Sequence, residues 1–543
     1  MKWINVIAAL LGCCWIMPAA EARPKLGVIV VIDQFRSIDV ERWADVWGPD
    51  GFGGLMGKGA AHYDAIYAYS ATETGPGHAT IGTGAQPSAH GIVSNRWFVG
   101  REQVYAAFDP KGAIVGFPER PGRGPAQLRA GTLGDSMRAE SGGHTKVVSL
   151  SVKDRAAILT AGFAANLVLW YDPIVGRYVT SMAYGAKLPD WAERLAVELP
   201  AHAHKNAEWN PLPIDPKWKK LLPDDSHTGE AQVYGLDDQF PHSLRDLTKE
   251  EEKRAAYPIV PTSTDDLVTF ALSAVDHAEL GKDDVPDLLI VSISSLDYVG
   301  HIFGPDSVEG FDSLRRADLA LRTLVNGLES RLGKDGFVLA LTGDHGSTPL
   351  VERVQAAGIN ANRVDADHLV RVAEDALNGV LGASGTTGAR VLGFMPPHLY
   401  LDLSGIDESR AARALEEMRG SIEAIAGIAA TYLPGVIRAD EDAYGTIVRG
   451  ALSAGRHGQL LVRQKPRTVF YWGGDARGTD HGTPYRYDRT VPLYVLGPGV
   501  RGGRYAAQVD PVDLTATLAF LLGVQAPDSC SGRPVGAVGA EAR

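Results

Sequence analysis

The run Leu26-Gly27-Val28-Ile29-Val30-Val31-Ile32, followed at once by Asp33, decides the fold class. A short apolar run rich in β-branched residues and closed by a carboxylate reads as a strand buried on both faces. Comparable runs recur at Lys146 to Leu150, Asn166 to Trp170, Asp287 to Ile293, Phe337 to Leu341 and Pro492 to Leu496. Helical stretches lie between many of them. Ser263 to Leu280 opens with a Ser-x-x-Asp capping pattern and ends at Gly281; Glu309 to Leu332 sets Leu314, Leu321, Leu324, Leu328 and Leu332 along one stripe and ends at Gly333. Apolar strands alternating with helices predict an α/β fold: a mostly parallel central sheet covered by helices on both faces. Such sheets bind ligands outside the carboxyl ends of their strands, so the polar residues just after each strand are where chemistry is expected.

Two stretches break this rhythm. Residues 176–260 are rich in Pro, Trp, Asp and charge, with Glu250 to Arg254 reading as a solvated helix start, and are expected to form a cap or insertion. Residues 349–470 carry their own helices and strands, such as Ala411 to Ile425 and Leu460 to Gln464, and read as a second insertion. The core is then divided into residues 23–175, 261–348 and 471–543, with a frayed tail expected after Ser531. Ahead of them, Lys2, an almost uncharged run from Trp3 to Ala20 and the small residues of Ala20-Glu21-Ala22 read as a signal peptide, residues 1–22, cleaved after Ala22. The expected location is therefore secreted or periplasmic. A membrane anchor is the alternative, at the short edge of what spans a bilayer, and Leu10-Leu11-Gly12-Cys13 allows a lipoprotein form through Cys13. No later segment is apolar for long enough to span.

The whole chain has 543 residues, 45% of them hydrophobic and 22% charged, which excludes a disordered protein. At roughly 150 residues per domain this length allows two to four units, or one large α/β core with insertions. A formal charge of −12 argues against non-specific binding to nucleic acid or to an anionic membrane, both of which need a basic footprint. An anionic substrate must then be met by local positive charge. Of the three cysteines only Cys530 lies outside the leader, so no internal disulfide is expected after cleavage and the core or bound metal must hold the fold.

The residues after the strands form a mixed oxygen and nitrogen set. Asp33 follows the first strand, Asp297 and His301 follow Asp287 to Ile293 at a spacing that shares one helical face, and Asp344-His345 follow Phe337 to Leu341. His481 lies in the glycine-flanked loop Gly478-Thr479-Asp480-His481-Gly482. Carboxylates and imidazoles without thiolates suit zinc, manganese or iron. Each residue alone has a plainer reading, as a surface i,i+4 pair, a helix cap or a loop histidine. Together they lie where an α/β sheet places its ligands. The nucleophile candidate is Thr74 in Thr74-Gly75-Pro76-Gly77-His78, with Pro76 suiting the first helical position and Thr74 at a helix N-terminus, where free N–H groups and the helix dipole favour an anion. A plain N-cap is its other reading. A threonine hydroxyl needs a base or a metal to become nucleophilic, which the acid and histidine set would supply.

With Asn95 and Lys153-Asp154-Arg155 added, these residues resemble the alkaline phosphatase superfamily, and most of all its bacterial phosphate-irrepressible alkaline phosphatases with a threonine nucleophile. The likeness runs over essentially the whole chain after the leader, in the family's order. It implies an alkaline phosphatase-like core and two zinc ions, other divalent metals being open. One would be held by Asp297, His301 and His481, the other by Asp33, Asp344 and His345 with Thr74. By the same likeness Lys153, Arg155 and Asn95 bind the phosphoryl group, and related nucleotide phosphodiesterases lack the Lys-x-Arg pair. The chemistry agrees: two metals about 4 Å apart can stabilise both the attacking and the leaving oxygen of an in-line displacement. In an extended segment Lys153 and Arg155 would share one face and meet a terminal phosphate with two cations.

The expected function is hydrolysis of small-molecule phosphate monoesters through a phosphothreonine, with release of inorganic phosphate. A phosphodiesterase or nucleotide pyrophosphatase of the same superfamily is the alternative, followed by a non-catalytic, metal-stabilised binding protein. Oligomeric state is left open.

Overall fold

The computed structural model describes residues 23–383, 388–437 and 442–538, so the leader and Cys13 lie outside the described residues. A nine-stranded sheet forms the centre. In spatial order its strands are Gly503–Tyr505, Ala60–Ile66, Thr490–Leu496, Phe337–Gly343, Leu26–Ile32, Asp287–Ile293, Val147–Ser151, Leu167–Asp172 and Arg177–Val179. The run from Phe337–Gly343 to Leu167–Asp172 is parallel throughout. Thr490–Leu496 is antiparallel to both of its neighbours, and Arg177–Val179 closes the far edge antiparallel.

Alternate residues of the central strand explain why it reads as unbroken apolar sequence. Val28, Val30 and Ile32 enter one core cluster, with the helices Thr262–His277 and Val308–Leu332; Ile29 and Val31 enter another, with Thr74–Thr83 and Asp513–Leu522. Both faces are therefore covered and the strand has no polar side to show. Residues 362–471 add a four-stranded sheet, Val391–Met395, His398–Leu401, Leu460–Gln464 and Ile428–Tyr432, with a core cluster of its own beneath the helices Ala366–Leu381 and Glu408–Glu423.

Several local expectations are corrected. The helix expected to be capped by Ser263 starts at Thr262 after Pro261, and the Ser263 hydroxyl instead donates to the Val260 carbonyl at 2.9 Å. Pro76 is the third residue of its helix, which begins at Thr74; a proline is tolerated there because first-turn N–H groups have no intrahelical partner. Lys153 alone is extended, since Asp154 and Arg155 open the helix Asp154–Ala161. The tail is docked as far as Val538: Val535 and Ala537 are buried, and Arg501 donates its backbone N–H to Ala537 O at 3.0 Å.

Candidate active site

All the singled-out acids and histidines lie at the carboxyl ends of the parallel strands. Asp33, Asp344 and His345 are fully buried and form one group able to hold an ion; Asp297, His301 and His481 form a second. In the first group His345 Nε2 stands 3.3 Å from Asp33 Oδ1 and 3.4 Å from Asp344 Oδ2. In the second, Asp297 Oδ1 stands 3.3 Å from His301 Nε2 and 3.6 Å from His481 Nε2. A tetrahedral ion with bonds of roughly 2.0–2.1 Å separates its ligands by roughly 3.3–3.4 Å. The spacing therefore fits such an ion.

The hydrogen bonds around the histidines point the same way. The Nδ1 groups of His301, His345 and His481 face backbone carbonyls of Thr479, Gly346 and Thr72 at 2.8, 2.9 and 2.8 Å. A carbonyl only accepts, so Nδ1 carries the proton and Nε2 turns its lone pair to the cluster, as metal-binding imidazoles require. Asp33 Oδ1, Asp344 Oδ2 and His345 Nε2 are buried without a hydrogen-bond partner. Orphans of this kind are costly unless a ligand compensates them. Without metal, burial lowers the imidazole pKa values, but Asp297 outweighs it at His301, held at about 9, and Asp344 and Asp33 do so at His345, held at about 10. His481 moves the other way, well below its ordinary value, through burial and the neighbouring His345 and His301.

Lys153 lies between the two groups. Its ammonium donates to Asp33 Oδ2 at 2.6 Å and to Asp297 Oδ2, so each carboxylate gives one oxygen to the lysine and the other to its histidine partners. Burial lowers the Lys153 pKa, but Asp297 and Asp33 more than offset this and raise it. Thr74, buried at the first position of its helix, receives Lys153 Nζ at 3.4 Å and Arg155 Nη2 at 3.2 Å on its hydroxyl oxygen. Glu73, not Thr74, is the N-cap residue, and its side chain makes no cap bond. Asn95 Oδ1 accepts the Gly75 N–H at 2.8 Å, which leaves the amide NH₂ as the donor for the cleft that Asn95 lines. Every candidate site residue is thus brought to one place.

Close packing holds the parts in register. A Cβ on Gly77 would lie 2.5 Å from Asp344 O, so the helix bearing Thr74 rests against the end of the Asp344 strand. A Cβ on Gly478, whose φ is +74°, would lie 2.4 Å from His301 O, and this contact seats the His481 loop. Four residues that sequence reasoning passed over also belong here. Glu73 accepts Ser94 Oγ at 3.0 Å and the Asn95 N–H at 2.7 Å, and burial pushes its carboxyl up to about 7. Gln34 donates its backbone N–H to Asp344 Oδ1 and its side-chain amide to Asp297 Oδ1, both at 3.0 Å. His78 sits 3.2 Å from Asp344 Oδ2 and 2.9 Å from Thr74 O. Asp480 lines the cleft beside His301, its carboxyl raised by burial. Asp480, next to His481, and His78, four residues after Thr74 in the same run, carried a signal in their spacing; Glu73 and Gln34 act through contacts that only the fold creates.

Comparison with known proteins agrees with this arrangement. The family described as type I phosphodiesterase / nucleotide pyrophosphatase matches residues 28–471. Alkaline phosphatase PhoV of Synechococcus elongatus is 29% identical over 96% of this chain and 94% of its own. Alkaline phosphatase PhoK of a Sphingomonas species is 30% identical over 95% of this chain and 91% of its own. Alkaline phosphatase PafA of Elizabethkingia meningoseptica is 27% identical over 98% of both chains. A crystal structure of PafA aligns with a TM-score of 0.87 over 96% of this chain and 99% of that one. The chain therefore belongs to the type I phosphodiesterase / nucleotide pyrophosphatase family, alongside the bacterial alkaline phosphatases that it matches over nearly its whole length.

Proposed function

We propose that this chain is an alkaline phosphatase that hydrolyses phosphate monoesters through a phosphothreonine at Thr74. The observation that carries the proposal is the convergence of two cations, Lys153 and Arg155, on the Thr74 hydroxyl oxygen beside two groups of metal-binding side chains. The positive end of the Thr74–Thr83 helix lies behind that oxygen. Two charged donors and the dipole stabilise its alkoxide relative to the alcohol. Divalent metal bound by Asp297, His301 and His481 and by Asp33, Asp344 and His345, zinc being the ion these donors suit best, would supply Lewis-acid stabilisation of the attacking and departing oxygens.

The residues of the chain divide the remaining work. Arg155 and the Asn95 amide hold non-bridging oxygens of the phosphoryl group, while Lys153 keeps Asp33 and Asp297 apart and adds charge close to the nucleophile. Attack by Thr74 Oγ1 on phosphorus expels the ester oxygen, and water then cleaves the phosphothreonine to inorganic phosphate. Charge stabilisation dominates such a loose transition state. A diester reading draws support from the family match, whose description covers phosphodiesterases. The Lys153 and Arg155 pair favours the monoester, which carries one more negative charge for the cations to meet. Export fits the leader, by cleavage after Ala22 or by lipidation at Cys13, and no helix among the described residues is long and apolar enough to cross a membrane.

The test is to quench the zinc-loaded chain in acid during turnover of a ³²P-labelled monoester and to map the label, which is expected on Thr74. Thr74→Ala should retain the fold by circular dichroism and lose turnover by on the order of 10⁴ or more. Unchanged turnover in that variant would overturn the assignment.

A further inference from the structure

The cleft at Thr74 encloses about 310 Å³, at the lower end of the roughly 300–1,000 Å³ that small-molecule sites occupy. That is more room than a phosphoryl group needs, and its lining is of two kinds. Thr74, Asn95, Arg155, Asp297, His301 and His481 make a charged and polar wall. Met395, Pro396 and Trp472 make an apolar one.

Trp472 is 42% exposed, unusual for so large a ring, and it lines the cleft. The backbone on either side of it is anchored. Trp472 directly follows the strand Thr468–Tyr471, and the next residue, Gly473, donates its N–H to Asp367 Oδ2 at 3.0 Å in the first turn of the helix Ala366–Leu381. Met395 ends the strand Val391–Met395, so the Met395-Pro396 corner is fixed from the sheet of the second insertion. A flat indole face, a proline ring and a polarizable thioether suit a flat aromatic group, which gains from stacking and sulfur contact and needs no hydrogen-bond partner.

We propose that Trp472, Met395 and Pro396 form a leaving-group subsite for aromatic alcohols, so that the enzyme prefers monoesters whose leaving group carries an aromatic ring or base. The inference rests on the monoesterase reading above. Thr74, Lys153, Arg155 and Asn95 act on the phosphoryl group, and the wall of Met395, Pro396 and Trp472 selects what is attached to it. Aryl esters and nucleoside monophosphates share this chemistry and differ in how far the ring lies from phosphorus.

Matched substrate pairs separate the contributions. The zinc-loaded full chain is assayed for kcat/KM with phenyl phosphate against methyl phosphate, and with adenosine 5′-monophosphate against ribose 5-phosphate. In Trp472→Ala the ratio of aromatic to non-aromatic substrate should fall about tenfold in at least one pair, and Trp472→Phe should restore most of it. A fall in the first pair alone identifies short aryl esters, and a fall in the second alone identifies nucleoside monophosphates. Equal losses on both members of each pair, or unchanged ratios, would overturn the subsite while leaving the monoesterase intact. A wild-type chain inert on all four esters would overturn both.

Discussion

Asp33 and Asp297 each split their two oxygens between Lys153 and a histidine, and this division explains how two acidic groups can stand side by side in a buried site. Lys153 lowers their mutual repulsion and still approaches Thr74, while Arg155 reaches the same hydroxyl from the first turn of the next helix. Replacing Lys153 and Arg155 together by alanine is expected to lower kcat/KM for monoesters by on the order of 10²–10³ or more, since removing a single neutral donor from a transition state already costs that much. Diesters, with one charge fewer, should lose less. Equal losses, measured side by side, would show that the pair does not discriminate by charge. The two candidate groups were legible in the sequence because each acid follows an apolar strand directly or by a few residues. Gln34 and Glu73 were not legible: Gln34 gains its role from Asp297, 263 positions away, and Glu73 from the Ser94-Asn95 turn, neither visible as a local pattern.

At the scale of elements, the site depends on a helix start pressed against a strand end. Gly77 lets the helix Thr74–Thr83 approach Asp344, and His78 and Gln34 then tie Asp344 to that helix and to the first strand's exit. Gly77→Ala puts a methyl group 2.5 Å from a backbone oxygen that cannot rotate away. The variant is expected to lose about 1–3 kcal/mol of stability by overpacking, with slower turnover as Thr74 shifts. An unchanged Tm and unchanged kcat would contradict this contact. The strands were readable because burial on both faces leaves no polar alternation to confuse them. Pro76 was expected at the first helical position, two residues after the actual start at Thr74, and Lys153 to Arg155 in an extended segment although the helix Asp154–Ala161 already holds Arg155; first-turn N–H groups lack an intrahelical partner, so tertiary contacts choose the start. The docking of the tail was hidden for a related reason: Val535 and Ala537 are buried by a groove assembled from distant segments.

For the whole molecule, a net charge of −12 leaves room for a site that meets anions, because positive charge is gathered locally by Lys153, Arg155 and a helix N-terminus, to which bound metal would add. Metal and protons compete there. In the metal-free chain His301 and His345 titrate at about 9 and about 10, above the ordinary imidazole value of about 6.5. Groups raised on folding stabilise the metal-free fold most below pH 6.5, and that contribution disappears as pH rises through 9 to 10. Metal needs the same imidazoles neutral, so its affinity rises across that window. Chelation should therefore abolish activity, zinc should restore it, and the Tm gap between zinc-loaded and chelated protein should widen from pH 7 to pH 10; a narrowing gap would contradict the assignment. The α/β core and the acids and histidines at its strand ends could be read from sequence, whereas the cleft's apolar wall could not, because Met395 ends a strand of the four-stranded sheet and Trp472 follows a strand of a separate two-stranded one, and only the fold brings both to the cleft. The central claim is a preference for dianionic monoesters, and it is tested most directly by kcat/KM of the zinc-loaded chain for p-nitrophenyl phosphate and bis-p-nitrophenyl phosphate. The two-cation geometry predicts a clear preference for the monoester, and a preference for the diester would contradict it.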